Sequence, residues 1–257
     1  MARGRPKGSS PAPSPLAGSS IVAASSIPAP RRVPTVQTSF TSIALQSLAG
    51  EWNPDVRDVF GEVGLGELCK IRVLGNTSRI FSMSLISKID PDTMKMDMGD
   101  GTFVDINARA VARAIGLPSG GRKIDIQVGR CLADRERLLG KVHALLGTGM
   151  PRSNNIPVHR VKKIVQGANK VAIEGEESKT MKAAVVLVAS STFLVPRGAT
   201  TKIANELLPV VAEPDMICEF DFYDYVVEGL REAARKLRDD LATDPTFVVL
   251  GGCLIVP

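Results

Sequence analysis

AAVVLVASSTFLV, residues 183–195, is the longest uncharged apolar stretch in this chain, and the fold depends on where it lies. Residues 180–195 are apolar nearly all round a helical wheel, so a helix formed there has no face that suits water. The stretch is much shorter than the roughly 20 apolar residues that a membrane helix needs. The sequence therefore predicts a central helix that is buried inside a soluble, intracellular protein.

Shorter amphipathic helices are predicted on both sides of this segment. Asn53-Pro54-Asp55 is typical of a helix start, because Asn caps the free amides, Pro fits the first turn and Asp faces the positive end. Apolar residues at helical spacing indicate the buried faces of four helices, namely Val56-Val59-Phe60, Phe81-Leu85-Ile89, Cys131-Leu138-Val142-Leu145 and Val161-Ile164-Val165-Ala168.

The clearest amphipathic stretch begins at Asp221, which is placed to cap it. Phe222, Val226 and Leu230 start an apolar stripe that continues through Ala233, Leu237 and Leu241. On the opposite face, Glu232 and Lys236 have the spacing of a helical ion pair. We expect a long helix here, with one buried face and one solvated face.

One small β-hairpin interrupts the helical pattern, at about residues 94–106. Alternating apolar residues stand on both sides of Gly99-Asp100-Gly101, as in two strands joined by a tight turn. Asn107 is then placed to cap a helix that carries Val111, Ala114 and Ile115 and ends at Gly116, with Pro118 preventing its continuation. The predicted fold class is mainly α, an irregular helical domain with this single hairpin.

Residues 1–40 have a different composition from the rest. They hold five basic residues, no Asp or Glu, seven of the 17 prolines and eight serines. Proline removes backbone donors and serine competes for backbone hydrogen bonds, so neither helix nor sheet should persist. We predict a disordered basic tail over residues 1–40 and one helical domain over residues 41–257. The formal net charge of +5 lies entirely on the tail, because the domain has 27 basic and 27 acidic residues.

The tail opens with Arg3-Gly4-Arg5-Pro6-Lys7, which resembles the core of the AT-hook, a short DNA-binding motif. Extended arginines fit the narrow, electronegative minor groove of A·T-rich DNA, Gly4 permits close approach, and Pro6 keeps the backbone extended. Lys7 would meet a phosphate. The candidate DNA-binding residues are Arg3, Gly4, Arg5, Pro6, Lys7, Arg31 and Arg32. A solubilising tail or part of a nuclear import signal is the alternative interpretation.

No other motif indicates a cofactor, a metal or a catalytic centre. Residues 116–123 (GLPSGGRK) superficially resemble a phosphate-binding loop, but Arg122 takes the place of the required lysine, so a helix end with its exit turn is the better interpretation.

His143 and His159 lack cysteine or carboxylate at ligand spacing and are interpreted as structural or solvated. A Cys–His pair formed only in space stays open. Arg160, Lys162, Lys163 and Lys170 form a second basic patch, which is read as a solvated helix face.

Three stretches in order resemble the plant mobile domain family, often labelled "aminotransferase-like" and associated with transposons, and equally the unknown-function region that precedes ubiquitin-like-protein protease domains in plant mobile elements. The resemblance covers roughly residues 65–257. The stretches are Cys69-Lys70-Ile71 with residues 87–92, residues 106–107 with 114–121, and residues 193–196 with 220–222 and 251–254.

The resemblance implies a helical, nuclear, non-enzymatic module from a transposon-derived protein that continues beyond residue 257, and it transfers no catalytic residue. With the tail, it predicts a protein that contacts A·T-rich DNA weakly and binds a protein partner through its helical domain. Two alternatives stay open. One is a regulatory fragment of a mobile-element ubiquitin-like-protein protease without its catalytic domain, and the other is a decayed gene product without activity.

Overall fold

A computed structural model describes residues 35–38, 54–71, 78–117, 120–125, 132–148, 155–167, 173–197 and 202–253, and the fold of this part of the chain is mainly α. The chain divides into two units, Met1–Arg32 and Val33–Pro257, and all described residues belong to the second. Among these residues, no helix combines the length and the apolar composition that crossing a bilayer requires.

The α-helices in chain order are α1 Pro54–Glu62, α2 Arg79–Ser87, α3 Ala108–Ile115, α4 Leu132–Leu145, α5 Val158–Gly167, α6 Gly175–Ala189, α7 Leu208–Val211 and α8 Phe222–Thr243. The strands are β1 Thr35–Thr38, β2 Ile89–Asp90, β3 Lys95–Asp97, β4 Phe103–Asp105, β5 Arg122–Lys123, β6 Phe220–Asp221 and β7 Phe247–Leu250. Short 3₁₀ turns lie at Gly66–Lys70, Asn205–Leu207 and Pro214–Glu219, and one π-helical turn at Ser190–Leu194 follows α6 directly.

Helix α6 is the central buried helix that the sequence predicted. Every residue from Ala183 to Ala189 is buried, and Phe193 and Leu194 in the following π turn are completely so. Helices α1, α5 and α7 pack against α6. A helix that is apolar all round must be covered on every side, so α6 fixes the positions of its neighbours.

Helix α8 forms where its capping signal placed it. The Asp221 carboxylate accepts hydrogen bonds from the amides of Tyr223 and Asp224, at 2.9 and 3.2 Å, and so satisfies two of the free amides at the helix start. Val226, Leu230 and the other predicted stripe residues up to Leu237 are buried or nearly so. The buried face packs against α2, α3 and β7, so α8 joins the hairpin region to the C-terminal strand.

The predicted hairpin is confirmed as β3 and β4, extended to three antiparallel strands by β2. Met96 pairs with Val104 at its centre, and Gly99 and Gly101 in the turn both adopt positive φ. The side chain of Asn107 accepts a hydrogen bond from the Ala110 amide and caps α3 as predicted. Gly116 ends α3 in the left-handed conformation that glycine tolerates.

Two predictions about helix α2 are wrong, one about its buried face and one about where it ends. Phe81 was assigned to a buried face, yet its side chain is 59% exposed, because α2 buries Ser82 and Ile86 instead and ends at Ser87. Several apolar residues of α2 share no single face, so periodicity alone did not select the buried side. Ile89 is buried, but it lies in β2.

The N-terminal segment differs in part from the prediction. Residues 35–38, which were assigned to the disordered tail, form β1 and pair in parallel with β7, Thr35 opposite Phe247 and Thr38 opposite Leu250. Val36 is buried by this pairing. Pairing between segments so distant in sequence leaves no local signal, which is why the composition of the tail concealed it. The rest of residues 1–40 lies outside the described residues.

The described ends of the glycine-rich stretch fit the predicted helix end, because Gly116 ends α3 and Gly120 precedes β5, while Pro118 and Ser119 lie outside the described residues. The stretch leads into β5, where Arg122 pairs in parallel with Phe220 of β6. Gly121 has a φ of +128°, and a Cβ atom there would lie 2.3 Å from the carbonyl oxygen of Glu219. Only glycine allows the two backbones to approach this closely.

We predict that Gly121→Ala destabilises the protein more than Gly120→Ala. Gly120 also has positive φ, but its added methyl group would meet open space, so the cost is about 1–2 kcal/mol of backbone strain. Gly121→Ala adds a clash with backbone atoms, which costs at least about 1 kcal/mol more. Urea unfolding of both variants measures the difference, and equal losses would contradict the packing at β5.

His143 supplies a test by pH. Its ring is buried, Nδ1 lies 2.8 Å from the hydroxyl of Thr148, and burial followed by the charge of Arg160 lowers the pKa of this histidine. The unfolded chain therefore takes up the His143 proton near pH 6.5, before the folded protein does. We predict that stability falls as pH drops below about 6.5, by at most about 1.4 kcal/mol per pH unit from this group.

The measurement is the free energy of unfolding between pH 7.5 and 5.5 for the wild type, His143→Gln and His159→Gln. The His143 variant should lose less stability on acidification than the wild type, and substitution of the exposed His159 is the control that also removes one imidazole. The same slope in all three proteins would show that His143 does not titrate differently on folding.

Candidate functional site

A groove of about 540 Å³ opens where the end of the buried segment meets α8 and β7. Its apolar lining includes Val195, Ala233 and Val249, and this volume lies within the range of small-ligand and peptide pockets. Arg197, Glu232 and Lys236 are its charged lining residues, and each side chain is about half exposed. The groove thus combines an apolar surface with a charged border.

The groove exists because two stretches of backbone approach α8 closely. The π turn closes with a hydrogen bond from the Val195 amide to the Ser190 carbonyl, and it directs Val195 against Gly229 of α8. A Cβ atom on Gly229 would lie 2.6 Å from Val195, so only glycine fits there. On the other side, a Cβ atom on Gly252 would lie 3.2 Å from the Cβ of Ala233 in α8, and the Gly252 amide donates to the Pro196 carbonyl at 3.0 Å. Turns of the π type occur often at functional sites.

A buried carboxylate supports the arginine of the groove from beneath. The Glu206 side chain is only 4% exposed, and its Oε1 atom accepts hydrogen bonds from Arg197 and, at 3.3 Å, from the Tyr225 hydroxyl. The Ser190 hydroxyl donates in turn to Tyr225 at 3.2 Å. This chain of hydrogen bonds leads from the π turn to the groove and holds the guanidinium in one position.

Each cation at the groove contacts at least one carboxylate, and the carboxylates outnumber the cations by one. Arg197 lies 3.6 Å from Glu232 in addition to its contact with Glu206, and Lys236 pairs with Asp240 at 2.6 Å. The predicted ion pair between Glu232 and Lys236 is therefore wrong. Both residues have the right helical spacing, but Asp240 and Arg197 offer closer partners, one of them from a part of the chain that periodicity cannot place.

Two titratable groups, one near the groove and one on the 3₁₀ turn after α1, have pKa values shifted by burial. Burial, and then the charge of Glu206, raises the pKa of the Tyr225 hydroxyl, so this group stays protonated. The thiol of Cys69 is likewise the reverse of an activated nucleophile, because burial raises its pKa to about 11. The partner of His143 is Thr148, and within the described residues no three His, Cys, Asp or Glu side chains come together to hold a metal ion.

Sequence reasoning missed the residues that build this site. Glu206 stands within the largely apolar run 203–211. A single acid in such a run indicates a carboxylate that is buried with a partner of opposite charge. Arg197 is the first charged residue after the uncharged stretch that ends at Val195. Neither position reveals its partner, because Arg197 and Glu206 lie nine residues apart in different elements and meet only in the folded chain.

The sequence-predicted DNA-binding residues cannot be compared with this geometry. Arg3, Gly4, Arg5, Pro6, Lys7, Arg31 and Arg32 all lie outside the described residues. Of the second basic patch, three members lie on α5, where Arg160 and Lys163 are exposed and Lys162 is half-buried, while Lys170 is outside the described residues.

Comparison with known proteins places the helical body in one family. Residues 39–257 match the family described as "Domain of unknown function (DUF8566)". The chain belongs to this family. The DUF8566 match begins directly after β1 and includes both walls of the groove. No curated protein and no solved structure matches the chain.

Membership of the DUF8566 family corrects the resemblance drawn from the sequence. The matching family carries no indication of a plant mobile domain or of an association with transposons. The expectation of a transposon-derived protein is therefore wrong, and the idea of a regulatory fragment of a mobile-element protease loses its basis. The three short stretches that suggested the resemblance include helix ends, caps and the glycine-rich turn, which unrelated helical folds also use.

The buried contact of Glu206 predicts a large difference between two arginine substitutions. Arg197→Met leaves the Glu206 carboxylate buried without its cation, and we expect a loss of about 3 kcal/mol in the free energy of unfolding. Arg235→Met is the matched control, because the partner of Arg235 is the exposed Asp92, and it should cost less than about 1 kcal/mol. Urea denaturation at pH 7 measures both, and similar losses would refute the supporting role of Glu206.

Proposed function

We propose that this chain is a non-enzymatic binding protein whose N-terminal tail contacts A·T-rich DNA and whose helical domain binds a protein partner. The observation that carries the proposal is the separation of charge. Residues 1–40 hold five basic residues and no acid, whereas the rest of the chain has 27 of each. A basic segment with the AT-hook-like run at residues 3–7 is suited to the phosphates and the narrow minor groove of such DNA.

The ion pairs of the helical domain support this division. Helix α8 has four basic residues, and every one contacts a carboxylate: Arg231 with Glu228, Arg235 with Asp92, Lys236 with Asp240 and Arg238 with Asp90. Cations that are already paired add little to the attraction for DNA. By residue count, the net charge of the protein comes from the tail, and the proposed function implies a nuclear protein.

For the partner of the helical domain, the groove is the surface that we propose. The charged groups at the groove sum to one negative charge, Arg197 and Lys236 against Glu206, Glu232 and Asp240. An apolar polypeptide segment with a single basic side chain complements this surface in both polarity and charge. The pKa directions of Tyr225 and Cys69 favour such a binding role over catalysis.

We predict that the full-length chain prefers an A·T-rich duplex to a G·C-rich duplex, with a dissociation constant of roughly 10⁻⁴ to 10⁻⁶ M near physiological salt. Fluorescence anisotropy with both duplexes at 50 and 150 mM KCl measures the preference. Arg3→Ala with Arg5→Ala should abolish it, because these side chains would enter the minor groove.

The matched control removes the same charge from the same tail. Arg31→Ala with Arg32→Ala should weaken binding to both duplexes alike and keep the A·T preference, because these residues lie outside the motif. Equal affinity of the wild type for both duplexes would eliminate the AT-hook-like role. Equal effects of the two double variants would reduce the tail to a nonspecific basic segment.

A further inference from the structure

The acidic and basic residues of the helical domain are balanced in number but not in position. Residues 137–173 contain seven Lys and Arg residues and neither Asp nor Glu. This acid-free run covers most of α4, all of α5 and the connection to α6. A part of the folded domain is therefore strongly basic, even though the domain as a whole is neutral.

Helix α5 packs its apolar side against α6 and exposes basic residues on its other side. Val161 and Val165 are completely buried on the side that packs against α6, and Arg160 and Lys163 are exposed. Residues three apart on a helix are neighbours, so these two cations lie side by side. Lys202 is also exposed and stands beside the start of α5, where it forms an isolated antiparallel bridge with Pro157. We call Arg160, Lys163 and Lys202 the α5 basic surface.

The cations of this surface differ from those of α8 in their pairing. Among the described residues, no carboxylate lies within 4.0 Å of Arg160, Lys163 or Lys202, whereas all four basic residues of α8 have such a partner. The same holds for Lys162, which is half-buried and whose pKa is lowered by burial. Unpaired cations held close together repel one another, and an external polyanion would relieve that repulsion.

The chemistry of the surface favours a duplex over a single strand. Proteins that bind single-stranded nucleic acid use aromatic side chains as stacking platforms, and α5 has no Phe, Tyr or Trp over residues 158–167, with His159 as its one ring. The three exposed cations are suited to phosphates. Duplex DNA offers these at a density of about one charge per 1.7 Å of axis, and contacts to them position a protein without reading sequence.

We propose that the α5 basic surface binds the phosphate backbone of duplex DNA. The inference rests on the proposed DNA contact of this protein, but it gives the folded domain a second contact that is independent of the tail. In this arrangement the tail supplies the preference for A·T-rich DNA, and α5 supplies attraction that does not depend on sequence.

Salt dependence of binding by the full-length protein tests the proposal. A labelled 20-base-pair duplex is titrated by fluorescence anisotropy at four KCl concentrations between 50 and 200 mM. Arg160→Ala with Lys163→Ala removes two phosphate contacts, so the slope of log K against log salt should become shallower by about 1.8. Affinity should fall several-fold, and equally for A·T-rich and G·C-rich duplexes. Both positions are exposed, and the single variant Lys163→Glu gives an independent reading of the same surface.

The matched control removes two cations that already have partners. Lys70→Ala with Lys179→Ala changes the net charge equally, but these lysines pair with Glu67 and Glu176 one turn away, so the slope should stay within about 0.5 of the wild type. Equal loss in both double variants would show a response to net charge only and overturn the proposal. An unchanged slope in the α5 variant would overturn it as well.

The two DNA proposals fail separately. If Arg3→Ala with Arg5→Ala has no effect while the α5 variant binds weakly, the tail motif is refuted and the α5 surface stands. If only the tail variant binds weakly, the reverse holds. Duplex RNA and polyglutamate are tested as competitors, each at a charge concentration equal to the phosphate concentration of the DNA. Displacement of the DNA by either would show that the surface binds polyanions in general, which also overturns the assignment.

Discussion

The burial of residues 183–195, of which only Ser191 is partly exposed, is the constraint on which the rest of the structure depends. A helix without a polar face has to be covered on every side, and α1, α5 and α7 provide this cover. Polar groups that come close to it need partners of their own, because an unpaired polar group in such surroundings costs free energy. The chain of Ser190, Tyr225, Glu206 and Arg197 supplies such partners to the Ser190 and Tyr225 hydroxyls, and it ends at the groove.

Charge has to lie on the outer faces of the covering helices, and its arrangement there differs from helix to helix. On α8 the basic residues are neutralised by neighbouring acids, two of which, Asp90 at the end of β2 and Asp92 in the following turn, attach that helix to the hairpin region. On α5 the basic residues lie in a run of sequence without acids and have no carboxylate partner among the described residues. The ion pairs of α8 stabilise the fold, whereas the positive charge of α5 can attract an anionic partner.

Local sequence signals predicted most helices and the hairpin. They could not predict contacts between segments that are distant in sequence. Asn107, Gly116 and Asp221 act on backbone groups within four residues, so their caps could be read from sequence. The parallel pairing of β1 with β7 joins residues near opposite ends of the chain and leaves no periodic trace. Phe81 was misplaced because two faces of α2 are apolar. Glu206 stands out as a single acid in an apolar run, but its partners Arg197 and Tyr225 come to it only through the fold, so the groove could not be found from sequence.

Hydrogen exchange of the full-length protein, with and without an A·T-rich duplex, tests the central claim most directly. The account predicts that amides of residues 183–195 exchange only through global unfolding in both states, because every neighbour of this segment must leave first. Added DNA should slow exchange at the first turn of α5 and leave α8 unchanged. Rapid exchange of residues 183–195 by local opening, or new protection on α8 instead of α5, would contradict it.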